Sequence, residues 1–259
     1  MLEVSAITMK FGGVTALDDV NFRVEDGEVL GVIGPNGSGK STLINVISGF
    51  YRPTSGAVTL DGASLSHLPP ERVRREGLVR TFQNLRLVDE MTVLENCLAG
   101  VYPMLTTGYG FVGASLASLL GLPVARRRAW EADLLAREAL HRVDLEHRLN
   151  DRVSELSYAE QKRLEIARSI ALKPRYLILD EPTAGMGVDE ADHLVRMIVQ
   201  LARDPQQPMA LFLVEHRLEL VLDVSDRAIV MDGGRVLADG PAEEIAVSQV
   251  VRDIYVGGE

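Results

Sequence analysis

The chain has 259 residues, 46% of them hydrophobic, so it can bury a substantial core as one large domain or two small ones. Its formal net charge of -10 argues against a protein that wraps duplex nucleic acid, because such binding depends on neutralising phosphates. Cys97 is the only cysteine, which excludes an internal disulfide and favours a reducing compartment.

The chain begins with two predicted strands of an antiparallel pair, residues 2–11 and 20–25, joined through Gly12-Gly13 and a short connection. Phe11 lies at the end of the first strand. Its ring could stack on a purine base or pack against the core, and stacking is the interpretation that we favour.

An apolar run, Val29–Ile33, predicts a strand, and an amphipathic run from Leu43 to Phe50 predicts a helix. Between them lies a complete G-x-x-x-x-G-K-S motif, residues 34–41, in the strand, loop and helix context that it requires. Glycines let the backbone N–H groups of such a loop surround a phosphate, and the helix N-terminus adds donors and partial positive charge. The sequence therefore predicts a nucleotide site.

Individual residues of this phosphate loop have predicted roles. Lys40 would reach the terminal phosphates, Ser41 would offer its hydroxyl to Mg²⁺, and Thr42 would support an inner phosphate. The other predicted nucleotide contacts are the loop residues Asn36, Gly37, Ser38 and Gly39.

A strand predicted over Ala57–Leu60 and a short helix over Pro69–Glu76 lead to a further strand, Val79–Phe82, which ends at Gln83. A glutamine at a strand end can contact a metal-bound water while its loop moves. Taken alone, such a glutamine is usually a polar turn residue, so both interpretations of Gln83 stay open.

The segment from Cys97 to Ala125 holds no charged residue, and a window of that length is typical of a transmembrane helix. Prolines and glycines break it into short pieces, and a single crossing would place Lys40 and the later acidic residues on opposite sides of the membrane. We therefore expect an inserted apolar lobe that does not span the membrane. It is either a loop with a buried helix or a surface near a membrane-embedded partner.

Two helices are predicted after this segment. The first runs from Arg126 to about Val143, with an apolar face formed by Leu134, Leu135, Ala139 and Leu140. The second follows Ser157, which could cap it. A helix N-terminus with a serine is also a second candidate phosphate contact.

Polar residues follow two further buried strands. Tyr176–Leu179 leads into Asp180 and Glu181, and Met209–Val214 delivers His216. Ligands of open α/β sheets bind at the carboxyl ends of such strands. Asp180 is predicted to hold Mg²⁺ through water, Glu181 to orient or deprotonate the attacking water, and His216 to reach the same edge.

Taken together, these motifs resemble the ATP-binding subunit of ABC transporters over nearly the whole chain. The resemblance implies an α/β fold: a P-loop NTPase core with a mostly parallel sheet flanked by helices, an antiparallel β subdomain and an inserted α-helical lobe. It also implies one domain over residues 1–259. Within it, residues 1–84 and 166–259 would form the core with the β subdomain, and residues 85–165 the helical lobe with the signature motif.

In that family two subunits dimerise head to tail, and each ATP lies between the phosphate loop of one subunit and the signature of the other. The resemblance implies that Phe11 is the adenine-stacking aromatic, Gln83 the coupling glutamine that contacts the metal's water, and Ser157 the signature serine. It further implies that Glu181 is the catalytic base and His216 the switch histidine. The expected cofactors are ATP and Mg²⁺, and the expected activity is ATP hydrolysis coupled to transport.

Within the family the chain is similar to the ATPases of branched-chain amino acid importers, as judged from Lys10-Phe11-Gly12-Gly13, Thr81-Phe82-Gln83-Asn84, Leu164-Glu165-Ile166-Ala167-Arg168 and Val214-Glu215-His216. Related importers for urea and short amides share these features, as does the ATPase that drives lipopolysaccharide export. The implied partners are membrane permease subunits and, indirectly, a substrate-binding protein, with no nucleic acid. The implied location is peripheral, at the cytoplasmic face of the plasma membrane.

Two departures from the family pattern lie on the face that serves the partner's ATP. The usual L-S-G-G-Q is L-S-Y-A-E here, which places Ala159 at the second glycine. After Thr183 the family usually carries an aspartate, whereas this chain has Ala-Gly-Met and then Gly187. We therefore expect a heterodimer with a second, non-identical ATPase, the homodimer being the alternative.

Two other classes of function compete with a transport ATPase. A soluble ABC-type ATPase that works on nucleic acid or protein complexes usually has two cassettes in one chain or a long coiled-coil insertion, and this sequence has neither. A kinase or other P-loop transferase would leave Ser157 and His216 without a role.

Overall fold

In a computed structural model of the chain, residues 1–81, 87–105 and 123–255 are described. The chain forms two compact units, Met1–Gln83 with Arg175–Glu259 and, separately, Asn84–Pro174. The second unit thus ends at Pro174, whereas the resemblance implied a boundary between residues 165 and 166. The reason is that the helix Tyr158–Ile170 is continuous and packs against the helices Val93–Leu105 and Pro123–Arg142 of the same unit.

The described residues of the first unit form two β-sheets. A four-stranded antiparallel sheet has the order β2-β1-β4-β5, formed by β1 (Leu2–Phe11), β2 (Val14–Val24), β4 (Ser55–Leu60) and β5 (Ala63–Ser64). A six-stranded sheet has the order β10-β9-β3-β8-β7-β6, formed by β3 (Val29–Ile33), β6 (Leu78–Arg80), β7 (Tyr176–Asp180), β8 (Ala210–Val214), β9 (Arg227–Asp232) and β10 (Arg235–Pro241).

The strand β2 begins at Val14, earlier than the predicted start at residue 20. Gly12 has a φ of 58°, which allows a tight turn, and Phe11 already pairs with Val14 across it. The whole predicted connection after this turn is therefore part of the strand.

Pairing in the six-stranded sheet is parallel except between β9 and β10. The strands β3, β7 and β8 are buried at every position, as expected for parallel strands covered on both faces. One hydrophobic cluster joins one side of this sheet to the antiparallel sheet, and another fills the opposite side. The carboxyl ends of β3, β7 and β8 consequently lie side by side.

The first unit also carries six helices within its described residues, namely α1 (Lys40–Ile47), α2 (Pro70–Arg75), α6 (Val188–Ala202), α7 (Leu218–Val224), α8 (Ala242–Ala246) and α9 (Gln249–Tyr255). The helix α7 packs closely on β3 at Gly31. A Cβ atom at that position would lie 2.5 Å from a methyl carbon of Val221. Glycine is therefore required at this strand position.

The second unit contains the helices α3 (Val93–Leu105), α4 (Pro123–Arg142) and α5 (Tyr158–Ile170), with single 3₁₀ turns at Glu146–Arg148 and Val153–Glu155. The predicted apolar face of α4 was wrong at Leu134, whose side chain is 46% exposed. The buried residues of α4 are instead Ala132, Ala136, Ala139 and Leu140. Small side chains there let α3 approach closely, and the buried thiol of Cys97 lies 3.7 Å from the Ala136 carbonyl oxygen.

No helix within the described residues is long and apolar enough to cross a membrane. This finding covers the ends of the segment Cys97–Ala125, which belong to α3 and α4. Residues 106–122 of that segment lie outside the described residues.

Candidate nucleotide-binding and hydrolysis site

The phosphate loop connects β3 to α1, as the motif predicts. At Gly39, which immediately precedes α1, φ is 103°, and a Cβ atom would lie 2.8 Å from the Ala16 carbonyl oxygen. At Gly34 a Cβ atom would lie 2.1 Å from the Met231 carbonyl oxygen. These two glycines are therefore required by the path of the chain, which wraps the loop tightly against neighbouring backbone.

The loop is also braced from the turn between β9 and β10. The N–H of Gly234 donates to the carbonyl oxygen of Ser38 at 3.0 Å, and Ser38 is itself buried. Asn36 and Gly37, at the crown of the loop, are exposed. The bracing fixes the base of the loop and leaves its crown accessible to an anion.

Lys40 is buried at the first position of α1. Its Nζ atom donates to the carbonyl oxygens of Gly34 and Pro35 at 2.8 and 2.9 Å. Burial lowers the pKa of Lys40, and the negative charges of Glu181 and Asp180 oppose that effect. An ammonium group held across the loop by two of its carbonyl oxygens supplies positive charge for a phosphate ligand.

Ser41 is exposed and Thr42 is half-buried in the first turn of α1. Both hydroxyl groups follow the loop directly, where backbone donors and the helix dipole favour an anion. These positions agree with the predicted contacts of Ser41 and Thr42, and their roles remain predictions.

Asp180 ends β7 and is buried. Its Oδ2 atom accepts a hydrogen bond from Arg80 Nη2 at 2.8 Å. Its Oδ1 atom is buried and has no hydrogen-bond partner among the described residues. A buried carboxylate oxygen in this state fits a hydrated cation, since burial of an unpaired acceptor is otherwise costly.

The donor set at this edge favours Mg²⁺ over a metal held by protein ligands alone. Within the described residues, no group of three or more His, Cys, Asp or Glu side chains could hold a metal ion. Mg²⁺ commonly binds through one or two protein oxygens, waters and substrate phosphates. Asp180 and Ser41 suit that mode of binding.

Glu181 follows β7 directly and has a φ of 52°, in the left-handed region that side-chain-bearing residues rarely adopt. Its N–H donates to the carbonyl oxygen of Val214 at 2.9 Å, at the end of β8. His216 Nε2 lies 2.7 Å from Glu181 Oε1. Strained backbone of this kind persists only where surrounding contacts hold it in place. Here it directs the Glu181 carboxylate towards His216.

The structure therefore brings Asp180, Glu181 and His216 to the carboxyl ends of β7 and β8, and β8 neighbours β3, whose end leads into the loop of Lys40. Phe11 is in the same unit, 42% exposed, with its ring centroid 5.3 Å from that of Tyr51 in an edge-to-face contact. An exposed ring remains accessible to a base, and its stacking role stays a prediction. Gln83 lies outside the described residues.

Ser157 belongs to the second unit and caps α5, as the sequence indicates. Its Oγ atom accepts from the N–H of Glu160 at 3.3 Å, and its own N–H donates to the Glu160 carboxylate at 2.8 Å. This reciprocal capping box fixes the start of α5 and leaves Ser157 exposed.

Sequence reasoning missed the partners that hold the segment after Glu181. Glu215 is buried and accepts hydrogen bonds from the Thr183 N–H at 2.8 Å and from the Thr183 hydroxyl at 2.7 Å. On the other side of His216, Arg217 donates to Asp192 at 2.6 Å. The position of Glu215 at the end of a buried strand was the only sequence signal, because a carboxylate there needs a partner.

We expect Thr183→Val to lower the free energy of unfolding by about 1–3 kcal/mol, because it leaves the buried Glu215 carboxylate with one donor fewer. Urea unfolding measures the change. Thr15→Val, at an exposed strand position, is the matched control. An effect of Thr183→Val no larger than that of the control would show that the Glu215 contact contributes nothing.

Comparison with known proteins assigns the chain to a family. The sequence profile described as ABC transporter matches residues 17–184, more than half of the chain. The chain belongs to the ABC transporter family. As a member of that family it is a nucleotide-binding ATPase of the class that dimerises and works with membrane permeases.

This ABC ATPase is similar along its whole length to characterised relatives. It is 42% identical over 257 residues to the high-affinity branched-chain amino acid transport ATP-binding protein BraF of Pseudomonas aeruginosa, covering 99% of this chain and 98% of that protein. It is 39% identical over 257 residues to the corresponding protein LivG of Escherichia coli, again covering 99% and 98%.

Solved structures confirm the predicted fold class of this ABC ATPase. The ADP conformation of an ATP-binding cassette of an ABC transporter matches with a TM-score of 0.83 and 33% identity, covering 100% of this chain and 99% of the other. A nucleotide-free ATP-binding cassette matches with a TM-score of 0.82 and 32% identity, with the same coverage.

Proposed function

We propose that this ABC ATPase binds and hydrolyses ATP to drive an importer of branched-chain amino acids. The observation that carries the proposal is the 42% identity to a branched-chain amino acid transport ATP-binding protein over nearly the full length of both chains. The relatives favour this cargo over the urea, amide and lipopolysaccharide alternatives. ATP hydrolysis itself rests on the family and on the site geometry.

In the proposed mechanism the phosphate loop binds the nucleotide, and Lys40 contacts the terminal phosphates. Ser41 and, through water, Asp180 would hold Mg²⁺, with Gln83 contacting a metal-bound water, and the bound metal would supply positive charge next to the phosphates. Phe11 stacks on the adenine. The supporting observations are the exposed crown of the loop, the buried Oδ1 atom of Asp180 and the exposed Phe11 ring.

Glu181 orients or deprotonates the attacking water in this mechanism. The contact of 2.7 Å with His216 holds the carboxylate at the strand end, where it faces the same edge as Lys40 and Asp180. His216 thereby links the position of the base to the end of β8. Ser157, in the second unit, contacts the nucleotide held by the partner ATPase.

The proposed partners are the permease subunits of the importer, a second ATPase and, indirectly, a substrate-binding protein. The chain is proposed to lie peripherally at the cytoplasmic face of the plasma membrane. The test is affinity purification of the tagged chain from membranes with and without coexpressed permease subunits. Retention on membranes and co-purification that require a polytopic permease support the proposal, and retention without any permease contradicts it.

A heterodimer is the proposed functional form. Gly187 precedes α6, and a Cβ atom at this position would meet only Glu190 Oε2, at 3.9 Å. Packing therefore does not explain Gly187. It lies in the segment after Thr183 where the family usually carries an aspartate. Ala159 lies in the first turn of α5, where the family has its second signature glycine. In a homodimer both nucleotide sites would carry both departures, whereas in a heterodimer only one would.

We expect the chain purified alone as Glu181→Gln to stay monomeric with ATP and Mg²⁺, and to dimerise when the second ATPase of the same importer is added. Glu181→Gln is used because it blocks turnover and preserves a nucleotide-bound state. Light scattering with size-exclusion chromatography gives the masses. A stable dimer of this chain with two bound ATP molecules would exclude the requirement for a second ATPase.

A further inference from the structure

Arg80, at the end of β6, joins one predicted magnesium contact, Asp180, to Asn45 of α1. Its Nη2 atom donates to Asp180 Oδ2 at 2.8 Å and its Nη1 atom to Asn45 Oδ1 at 2.7 Å. The guanidinium carbon lies 5.7 Å from the centroid of the Phe50 ring. Arg80 is 12% exposed and Asp180 2% exposed, so the planar group is held in a largely buried position.

The two acceptors belong to α1, which carries Ser41, and to the end of β7, which carries Asp180. Asn45 lies four residues after Ser41 in α1, and residues at this spacing share one face of a helix. Asp180 is itself the second predicted contact. Arg80 therefore joins the face of α1 that carries Ser41 to the end of β7.

We propose that Arg80 is a positioning residue for the magnesium site, an inference that rests on the proposed function. By holding Asp180 Oδ2 and Asn45 Oδ1 at once, Arg80 turns the Asp180 Oδ1 atom towards the metal-bound water. It also sets the spacing between Asp180 and Ser41. The observation that Oδ1 is buried without a hydrogen-bond partner among the described residues is the expected consequence of this arrangement.

In a different role, Arg80 would be a stand-in cation: it would supply the positive charge at Asp180 while no metal is bound, and the metal would displace it. A stand-in cation would bind the carboxylate oxygen that the metal's water shell uses. Arg80 instead donates to Asp180 Oδ2. Its second terminal nitrogen donates to Asn45, which is not a predicted metal contact. The two roles predict opposite results, because loss of a stand-in cation would tighten metal binding and loss of a positioning residue would weaken it.

The test measures metal binding to the full chain, with Mn²⁺ as the probe and a non-hydrolysable ATP analogue present. Free Mn²⁺ is followed by electron paramagnetic resonance. Arg80→Lys should weaken Mn²⁺ binding about 10–100-fold, the range typical for loss of a group that orients a metal ligand. A lysine ammonium lacks the planar fork that serves two acceptors at once. Binding of the analogue in EDTA should not change.

Arg196→Lys is the matched control, since Arg196 is an exposed arginine of α6 that pairs with Asp223. It should leave Mn²⁺ binding unchanged. Asn45→Ala should weaken Mn²⁺ binding in the same direction as Arg80→Lys, and the double variant should lose little more than Arg80→Lys alone, because the residues act through one contact.

Mn²⁺ binding by Arg80→Lys that equals or exceeds that of the unmodified chain would overturn the inference. If Arg80→Lys does not fold, Asn45→Ala decides, and unchanged Mn²⁺ binding in that variant would likewise overturn it. An unmodified chain that binds no nucleotide, or that binds no Mn²⁺ with the analogue, would instead refute the proposed function on which the inference rests.

Discussion

Lys40→Ala is expected to reduce ATP hydrolysis by at least about a hundredfold and to remove much of the ATP binding. Lys40 is the cation that the phosphate loop holds across its own carbonyl oxygens, at 2.8 and 2.9 Å from Gly34 and Pro35. Loss of the ammonium removes the charge opposite the terminal phosphates. Steady-state phosphate release and binding of a fluorescent ATP analogue measure the two effects.

Two further variants serve as controls. One tests whether positive charge alone is enough at position 40, and the other tests whether removing any lysine lowers activity. Lys40→Arg keeps the positive charge but places a planar fork in a loop shaped for an ammonium, and it should recover little activity. Lys173→Ala removes an exposed lysine of the second unit that pairs with Glu138, and it should retain full activity. Turnover by Lys40→Ala at the unmodified rate would refute the assigned phosphate site.

Glu181→Gln is expected to retain ATP binding and to lower hydrolysis by at least about a hundredfold, the scale expected for loss of a positioned general base. The amide has nearly the same shape as the carboxylate and can still accept from His216, whose Nε2 atom lies 2.7 Å away. The substitution therefore removes the base while leaving its surroundings in place. Phosphate release under single-turnover conditions isolates the chemical step.

Glu219→Gln is the matched control, because it makes the same chemical change at an exposed position of α7 shortly after His216. It should leave the hydrolysis rate unchanged. Near-normal hydrolysis by Glu181→Gln would mean that another group activates the water, and the assignment of Glu181 as the base would then fall.

Much of the six-stranded sheet was predictable because its strands are short apolar runs with clear ends. The apolar runs Val29–Ile33 and Tyr176–Leu179 predicted β3 and β7, which the structure has at Val29–Ile33 and Tyr176–Asp180. Parallel pairing of β7 with β8 then brings Glu181 and His216 to one edge.

Predictions that depended on which side of an element faces a neighbour were less successful. Leu134 was placed on the buried face of α4, yet the structure exposes it and buries an alanine stripe that includes Ala132 and Ala136. Hydrophobicity favours the larger side chain, whereas close approach of two helices favours the smaller ones. The start of β2 was missed for a related reason, because pairing across the turn extends the strand to Val14.

By itself the sequence determined the strand, loop and helix of the proposed phosphate site, and the acidic and histidine residues at the strand ends, because these depend on neighbours in the chain. Only the tertiary structure decided which side chains meet. Arg80 contacts Asp180 across 100 residues and Asn45 across 35, and Glu215 contacts Thr183 across 32. Such contacts follow from the order in which strands are laid side by side, and burial makes them obligatory, since each buried charge must find a partner.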